Sequence, residues 1–487
     1  MQFTNTDEQN AVIEAAASTK DNLLIAALAG AAKTTTLVQA AARIRGATLS
    51  LAFNKAIAME MQKKMPANVT SSTLNSLGHR TLGSALKKKL TLSSDKIGGL
   101  IRDEINAVPK TEQDALWENY RDLRQHIEWA RVNGHVPDVI AADLGHGCSP
   151  LMNDTDMELA AELEFTGTEH VLIRNVLRRS FQLALSGVID FNDQLLLPAV
   201  TRCTFQPFNT VLVDEAQDLS ELNHVLIGKI VAGRRLIAVG DQNQAIYAFR
   251  GAHEDGMAKL QDRFGMRTLS LSCSFRCPDE VVRSVLWRTP NMTSWADNPN
   301  NPGSVTHMGL WSLSDLPEHC AVICRNNAPL FGLAIKLLRA GRNAKLWGRD
   351  LATGLIKDLE GLGSQLMSQE ESLESLASWH QEKLAKAKKA AARNRIEDRM
   401  LCLKMFIEAA KNLGEAIAYA KSVFSQEGTI NLMTGHKSKG GEWNDVFFLD
   451  QLLLSDEGQD LNLRYVIHTR AKRNLTFIDS AMFVGDE

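Results

Sequence analysis

Lys33 and Thr34 stand inside ALAGAAKTTTL (residues 27–37), which follows an apolar run and opens a helical pattern. A lysine and a hydroxyl at a strand-to-helix junction suit phosphate binding, because free backbone N–H groups and the helix N-terminus face an anion there. In that register Ala29, Gly30, Ala31, Ala32 and Thr35 supply backbone to the phosphates, Lys33 reaches the β/γ-phosphates, and the Thr34 hydroxyl takes Mg²⁺. The loop departs from the usual pattern: Ala32 stands where a glycine normally precedes the lysine, the first position is Ala27, and Gly30 is the remaining glycine. Taken alone, the segment reads equally well as an ordinary strand-to-helix turn. VLVDEAQD (residues 211–218) adds an apolar strand ending in Asp214 and Glu215. A strand's C-terminal end faces the ligand crevice of an α/β sheet. Asp214 is placed there to hold Mg²⁺ through water, and Glu215 to orient and deprotonate an attacking water. A solvated acidic turn is the plainer reading of those two carboxylates. The two elements in order, each directly after a strand, point to phosphoryl chemistry.

Positioning these groups requires strands. Short apolar, β-branched runs recur at 23–27, 48–53, 211–213, 236–239, 321–324, 430–433 and 446–449. Bounded by helical segments, they read as buried parallel strands. They fall into two groups, roughly 20–55 with 208–275 and 300–347 with 428–482. Residues ~80–190 are strand-poor, with apolar spacing at Leu116, Tyr120, Leu123 and Ile127, and residues ~350–425 are similar. The fold class expected is α/β: two P-loop-type parallel-sheet cores, each interrupted by a mainly helical insertion. A basic run, KLAKAKKAAARNR (residues 383–395), fits either a solvated helix face or a phosphate contact.

Composition bounds the rest. The chain has 487 residues, about three domains' worth at ~150 residues each. Its 44% hydrophobic and 23% charged residues exclude a predominantly disordered chain. The longest apolar run, residues 23–32, falls short of the ~20 residues needed to span a bilayer. The N-terminus has neither a basic leader nor an apolar signal core, so export is not expected. Seven cysteines are too sparse for a disulfide scaffold, and neither CxxxC pair (Cys273/Cys277, Cys320/Cys324) has structural-zinc spacing. Reduced, packed thiols in a cytoplasmic protein are the expectation. With a net charge of -3, a nucleic-acid partner must be met by a local basic groove.

Further segments in chain order resemble superfamily 1A DNA helicases of the UvrD/Rep type, in particular the compact branch that includes the F-box DNA helicase. TNTDEQNAVI is similar to the family's adenine-reading segment, which implies that Gln9 bonds the base. LAFNKAIAMEM resembles a segment that lies by the DNA track, implying roles there for Asn54 and Lys55. SSTLNSLGHR resembles the following DNA-contact motif, with Asn75 where the family has His. VGDQNQAIYAFRGA implies Gln244 as γ-phosphate sensor, with Tyr247, Phe249 and Arg250 along single-stranded DNA. SCSFRCPDEV implies Phe275 stacked on adenine and Arg276 on the γ-phosphate. LMTGHKSKGGEWNDVFF implies Thr434 and His436 toward DNA and Glu442 toward the ribose. LRYVIHTRAKRNL implies Arg470 as an arginine finger.

The resemblance makes the cores RecA-like, with domain 1A at 1–80 and 190–272, insertion 1B at 81–189, domain 2A at 273–347 and 428–487, and a reduced insertion 2B at 348–427. It implies an ATP- and Mg²⁺-dependent helicase or translocase whose cleft closes on ATP and opens after hydrolysis, travelling 3′→5′. Single-stranded DNA and single/double-strand junctions are the expected partners, with no membrane. A monomer is expected, with a protein partner for processive unwinding left open. The other reading is a DNA-binding scaffold with a phosphate loop impaired by Ala32.

Overall fold

The computed structural model describes residues 4–161, 165–247, 255–386, 390–425 and 427–485. The chain forms two compact units, Met1–Ala27 with Ala32–Leu271, and Leu28–Ala31 with Ser272–Glu487.

In the first unit, β1 (Leu23–Ala27), β2 (Thr48–Leu51), β3 (Val69–Ser72), β4 (Thr210–Val213), β5 (Arg235–Gly240) and β6 (Arg267–Leu271) form a wholly parallel sheet. Its order is β3-β2-β4-β5-β1-β6. The central strand β4, TVLV, is buried along its whole length, as expected for a strand covered by helices on both faces. The edge strands β3 and β6 carry exposed polar side chains. The run expected to be a strand through Phe53 ends at Leu51. Asn54 turns the chain there by capping the helix Lys55–Lys64, its Oδ1 accepting from the Ile57 N–H. Phe53 is thereby left outside the sheet.

Between β3 and β4 lie helices that include Lys96–Ala107, Tyr120–Val132 and Gly167–Ser186. Leu116, Leu123 and Ile127 are buried with Ile101, Ile173 and Val176 in a core of their own. This follows from apolar residues recurring every three to four positions.

The second unit has a parallel sheet of β7 (Ser304–His307), β8 (Cys320–Cys324), β9 (Ala344–Leu346), β10 (Ile430–Thr434), β11 (Trp443–Leu449) and β12 (Ala471–Ile478), in the order β7-β12-β11-β8-β10-β9. Among the described residues, helices between β9 and β10 pack onto the sheet's own core. Leu355, Leu359, Phe406 and Ile417 pack in one cluster with Val322 and Leu432 of the sheet and Phe331 of the helix Asn327–Arg339. The basic run 383–395 spans the end of the helix Gln369–Lys386 and the start of Ala390–Glu408, and residues 387–389 of it lie outside the described residues. All seven cysteines are free thiols. Among the described residues, no helix is long and apolar enough to cross a membrane.

Candidate nucleotide and nucleic-acid sites

Strands β4, β5 and β1 are neighbours, so their C-terminal ends deliver Asp214, Asp241 and the phosphate loop to one edge of the first sheet. The helix Lys33–Ala41 starts there with no side-chain cap, leaving N–H groups open toward an anion. Thr34 Oγ1 donates to Asp214 Oδ2 over 3.3 Å, tying the two motifs together. Burial, and secondarily the Glu215 carboxylate, push the Asp214 pKa up to about 6, while Lys33 pulls it down. A buried carboxylate of raised pKa marks a place that favours a cation.

Two residues at this edge hold left-handed backbone without being glycine: Ala32 at φ 55 and Glu215 at φ 53. Such strain costs on the order of 1–3 kcal/mol per residue and clusters at functional sites. Glu215 begins a relay. Gln217 Nε2 donates to Glu215 Oε2 (2.6 Å), the Asp241 N–H donates to Gln217 Oε1 (3.0 Å), and Gln244 Nε2 donates to Asp241 Oδ2 (2.7 Å). A Cβ on Gly240 would come within 2.5 Å of Gln217 Oε1, so glycine there makes room for the relay. Gln9 is also committed: Nε2 donates to Thr36 Oγ1 (3.1 Å), and Oε1 accepts from the Thr6 N–H (3.0 Å) in a capping box. Thr35 is exposed on the same helix.

On the same unit, the Tyr247 and Phe53 rings stack with centroids 6.2 Å apart and planes 10° from parallel. Both line a small pocket of about 150 Å³ with Asn192 and Leu195. Phe191, beside them in sequence, is 59% exposed. Its carbonyl accepts from Asn75 Nδ2 at 2.9 Å, so the residue that departs from the family's His holds this loop. Lys55 is exposed at the start of its helix. Phe249 and Arg250 lie outside the described residues.

The second unit gathers a different set. Arg276 Nε donates to Glu442 Oε2 (2.7 Å) and Nη1 to the Thr469 carbonyl (3.3 Å). Arg470, 1% exposed, donates from Nε to Val466 O (2.9 Å), from Nη1 to Gly441 O (3.0 Å) and from Nη2 to Thr469 Oγ1 (3.2 Å). Thr469 therefore links both arginines. Phe275 packs against Trp295 with ring centroids 5.6 Å apart. The loop turn Leu28–Ala31, expected in the first core, groups with this unit instead. The Ala29 N–H donates to the Tyr465 hydroxyl (2.9 Å), and Gly30 O accepts from the Phe275 N–H (2.9 Å). Gly30 has φ +74, and a Cβ on it would meet Ser274 Oγ at 2.5 Å and Arg276 Cβ at 2.7 Å. Thr434 ends β10 and His436 lies in the following turn Gly435–Ser438, both half-buried.

The family model of the UvrD/REP helicase N-terminal domain matches residues 5–265, more than half of the chain. The chain belongs to the UvrD/REP helicase family. The model of the UvrD-like helicase C-terminal domain matches residues 429–478, and the two sheets are the RecA-like cores of this family. F-box DNA helicase protein 1 of Schizosaccharomyces pombe is 23% identical over 98% of this chain and 57% of its own length. F-box DNA helicase 1 of Gallus gallus is 25% identical over 51% of this chain and 24% of its own. ATP-dependent DNA helicase Rep of Escherichia coli is 30% identical over 21% of this chain and 17% of its own. The chain thus spans little more than half the length of the first of these relatives.

For a UvrD/REP chain, the donor set can be tested against Mg²⁺. Thr34 Oγ1 and Asp214 Oδ2 are hard oxygen donors 3.3 Å apart. Mg²⁺ characteristically takes one or two such protein ligands beside substrate phosphates. The residues fit, and the ion would supply charge neutralisation there. Gln217, Phe53 and Phe191 escaped the sequence reading. A polar residue inside DEAQD and an aromatic directly before Asn54 were the available signals.

Ala32→Gly is expected to stabilise the protein. Relief of a left-handed alanine is worth ~1–2 kcal/mol, partly offset by the greater chain entropy of glycine, ~0.5–1 kcal/mol. A gain of about 0.5–1 kcal/mol in urea unfolding checks it; unchanged or lower stability refutes strain at this position.

Proposed function

We propose that this protein is an ATP-dependent DNA helicase or translocase that moves along single-stranded DNA, 3′→5′, unwinding duplex or displacing bound proteins. The carrying observation is the Thr34–Asp214 contact at an uncapped helix N-terminus, with the Glu215–Gln217–Asp241–Gln244 relay beside it. Lys33 and the N–H groups would grip ATP phosphates, and Glu215, held by Gln217, would align the attacking water. Gln244 would report γ-phosphate loss through Asp241 and Gln217 to Glu215. Arg276 and Arg470 are proposed to complete the charge on the phosphates. Arg470 must first exchange its internal acceptors for phosphate oxygens, which makes its engagement dependent on nucleotide state. Phe275 and Gln9 would flank adenine and Glu442 the ribose, while Asn54, Lys55, Tyr247, Phe249, Arg250, Thr434 and His436 would follow the DNA.

The stacked pair of exposed Phe53 and half-buried Tyr247 supports a single-strand track, because every base has a face for aromatic stacking, worth ~1–3 kcal/mol per base. Left-handed Ala32 is the observation favouring the scaffold reading. ATP turnover measured with and without single-stranded DNA separates the readings. Stimulation is expected; turnover indifferent to DNA would indicate a small-molecule enzyme, and none a scaffold. Duplexes tailed at either end then test polarity. Phe53→Ala should weaken single-strand binding by about the stacking increment, and unchanged affinity and stimulation would remove this pair from the track.

A further inference from the structure

The first unit carries a second concentration of positive charge that neither the phosphate site nor the aromatic groove uses. An open cavity of about 710 Å³ is lined by His146, Arg202, Lys229 and Arg234, and by no carboxylate. Lys229 is built into its wall: Nζ donates to the carbonyls of Pro198 (3.0 Å) and Thr201 (2.7 Å). Carbonyl dipoles fix that ammonium without cancelling its charge. Arg202, Arg234 and His146 are exposed at the rim. Among the described residues, neither guanidinium is engaged in an ion pair or side-chain hydrogen bond. Arg234 directly precedes β5, so the cavity lies at the strand's N-terminal end, while Asp241 and the relay follow its C-terminal end. Six strand residues separate the two by ~20 Å.

We propose that this cavity is a second nucleic-acid contact, gripping backbone phosphates of a duplex segment outside the single-strand groove; the proposal rests on the DNA-motor reading. Two arginines and a lysine gathered on a chain of net charge -3 give the local attraction that the whole molecule does not. Guanidinium forks match phosphate oxygens bidentately. The cations are spread around an open rim, with only half-buried Phe205 as an aromatic among them. That arrangement suits successive phosphates better than a peptide, which needs a deep apolar seat for an anchor residue. Such contacts position without reading sequence, so the cavity would hold a DNA segment while the motor groove steps.

The test is equilibrium binding of the full chain to two DNAs across a salt series. One is a single strand of about eight nucleotides, short enough to occupy one groove; the other is a tailed duplex. In the double variant Arg202→Ala/Arg234→Ala, the slope of log affinity against log salt should shrink by about two for the duplex. The short strand should keep its slope and affinity, and DNA-free ATP turnover should not move. Arg202→Lys/Arg234→Lys should restore the duplex slope, which counts the phosphates neutralised rather than the geometry of each contact. An unchanged slope on both DNAs overturns the proposal, as does an equal loss on both, which would assign these arginines to the single-strand groove. A polyglutamate peptide that binds wild type but not the variant, with the duplex slope intact, would make the cavity a protein-docking site and overturn it too. Wild-type protein that binds neither DNA defeats the motor reading itself.

Discussion

Lys33→Ala abolishes ATP turnover, by at least the ~10²–10³ that loss of one preorganised charge-stabilising group costs, while single-strand binding survives. Two effects act together. The β/γ-phosphates lose a fixed cation where charge develops in phosphoryl transfer. Asp214, whose pKa stands at about 6 through burial and the charge of Glu215, also loses the lysine that pulls it down. Its carboxyl is then more often protonated near neutrality and a poorer partner for a cation. Steady-state phosphate release and DNA titration check both halves. Undiminished turnover would refute the phosphate-loop assignment, and loss of DNA binding with turnover would point to a folding defect.

Arg131→Ala destabilises the first unit by about 3–5 kcal/mol, the usual result of removing one partner from a buried ion cluster. Arg131 Nη2 bridges Asp190 Oδ1 (2.6 Å) and Asp193 Oδ1 (2.9 Å), and Nη1 reaches Glu128 Oε2 (3.3 Å). Lys96 Nζ adds a bond to Asp193 Oδ2 at 2.5 Å. Burial opposes the charge of Arg131, but Asp193 and Asp190 outweigh it and raise its pKa. Alanine would leave the buried Asp190 and Asp193 carboxylates with Lys96 as their counter-charge. The cluster also locks the loop bearing Phe191 and Asn192: the Asn192 and Asp193 N–H groups both donate to Asp190 Oδ1, at 3.0 Å each. Single-strand affinity should therefore fall along with stability. Arg131→Lys keeps charge but not the fork and should lie between. Urea unfolding at constant slope is the measurement; a loss below about 1 kcal/mol would show that the cluster contributes little.

Much of the fold and of the candidate phosphate site was legible in the sequence because the pattern that marks them is local. Lys33–Thr34 and Asp214–Glu215 are short runs tied to strand ends, and β4 is buried on both faces, so its apolar run stands out. Strands β3 and β6 were silent for the converse reason: at sheet edges, VTSS and RTLSL keep polar side chains exposed. Phe53 was misread as strand because apolar character continues past Leu51, whereas the Asn54 cap ends the strand.

What the residues determined alone is which groups are candidates for phosphoryl chemistry and that parallel sheets must carry them, since backbone and side-chain periodicity act over a few positions. Only tertiary structure decided their company. Gln217 became a bridge because Gly240, from a neighbouring strand, leaves it room. Arg131 found its carboxylates 59 and 62 residues away. Ala32 took left-handed backbone at the turn into the helix Lys33–Ala41. Contacts between distant segments follow from packing, and no local pattern encodes them.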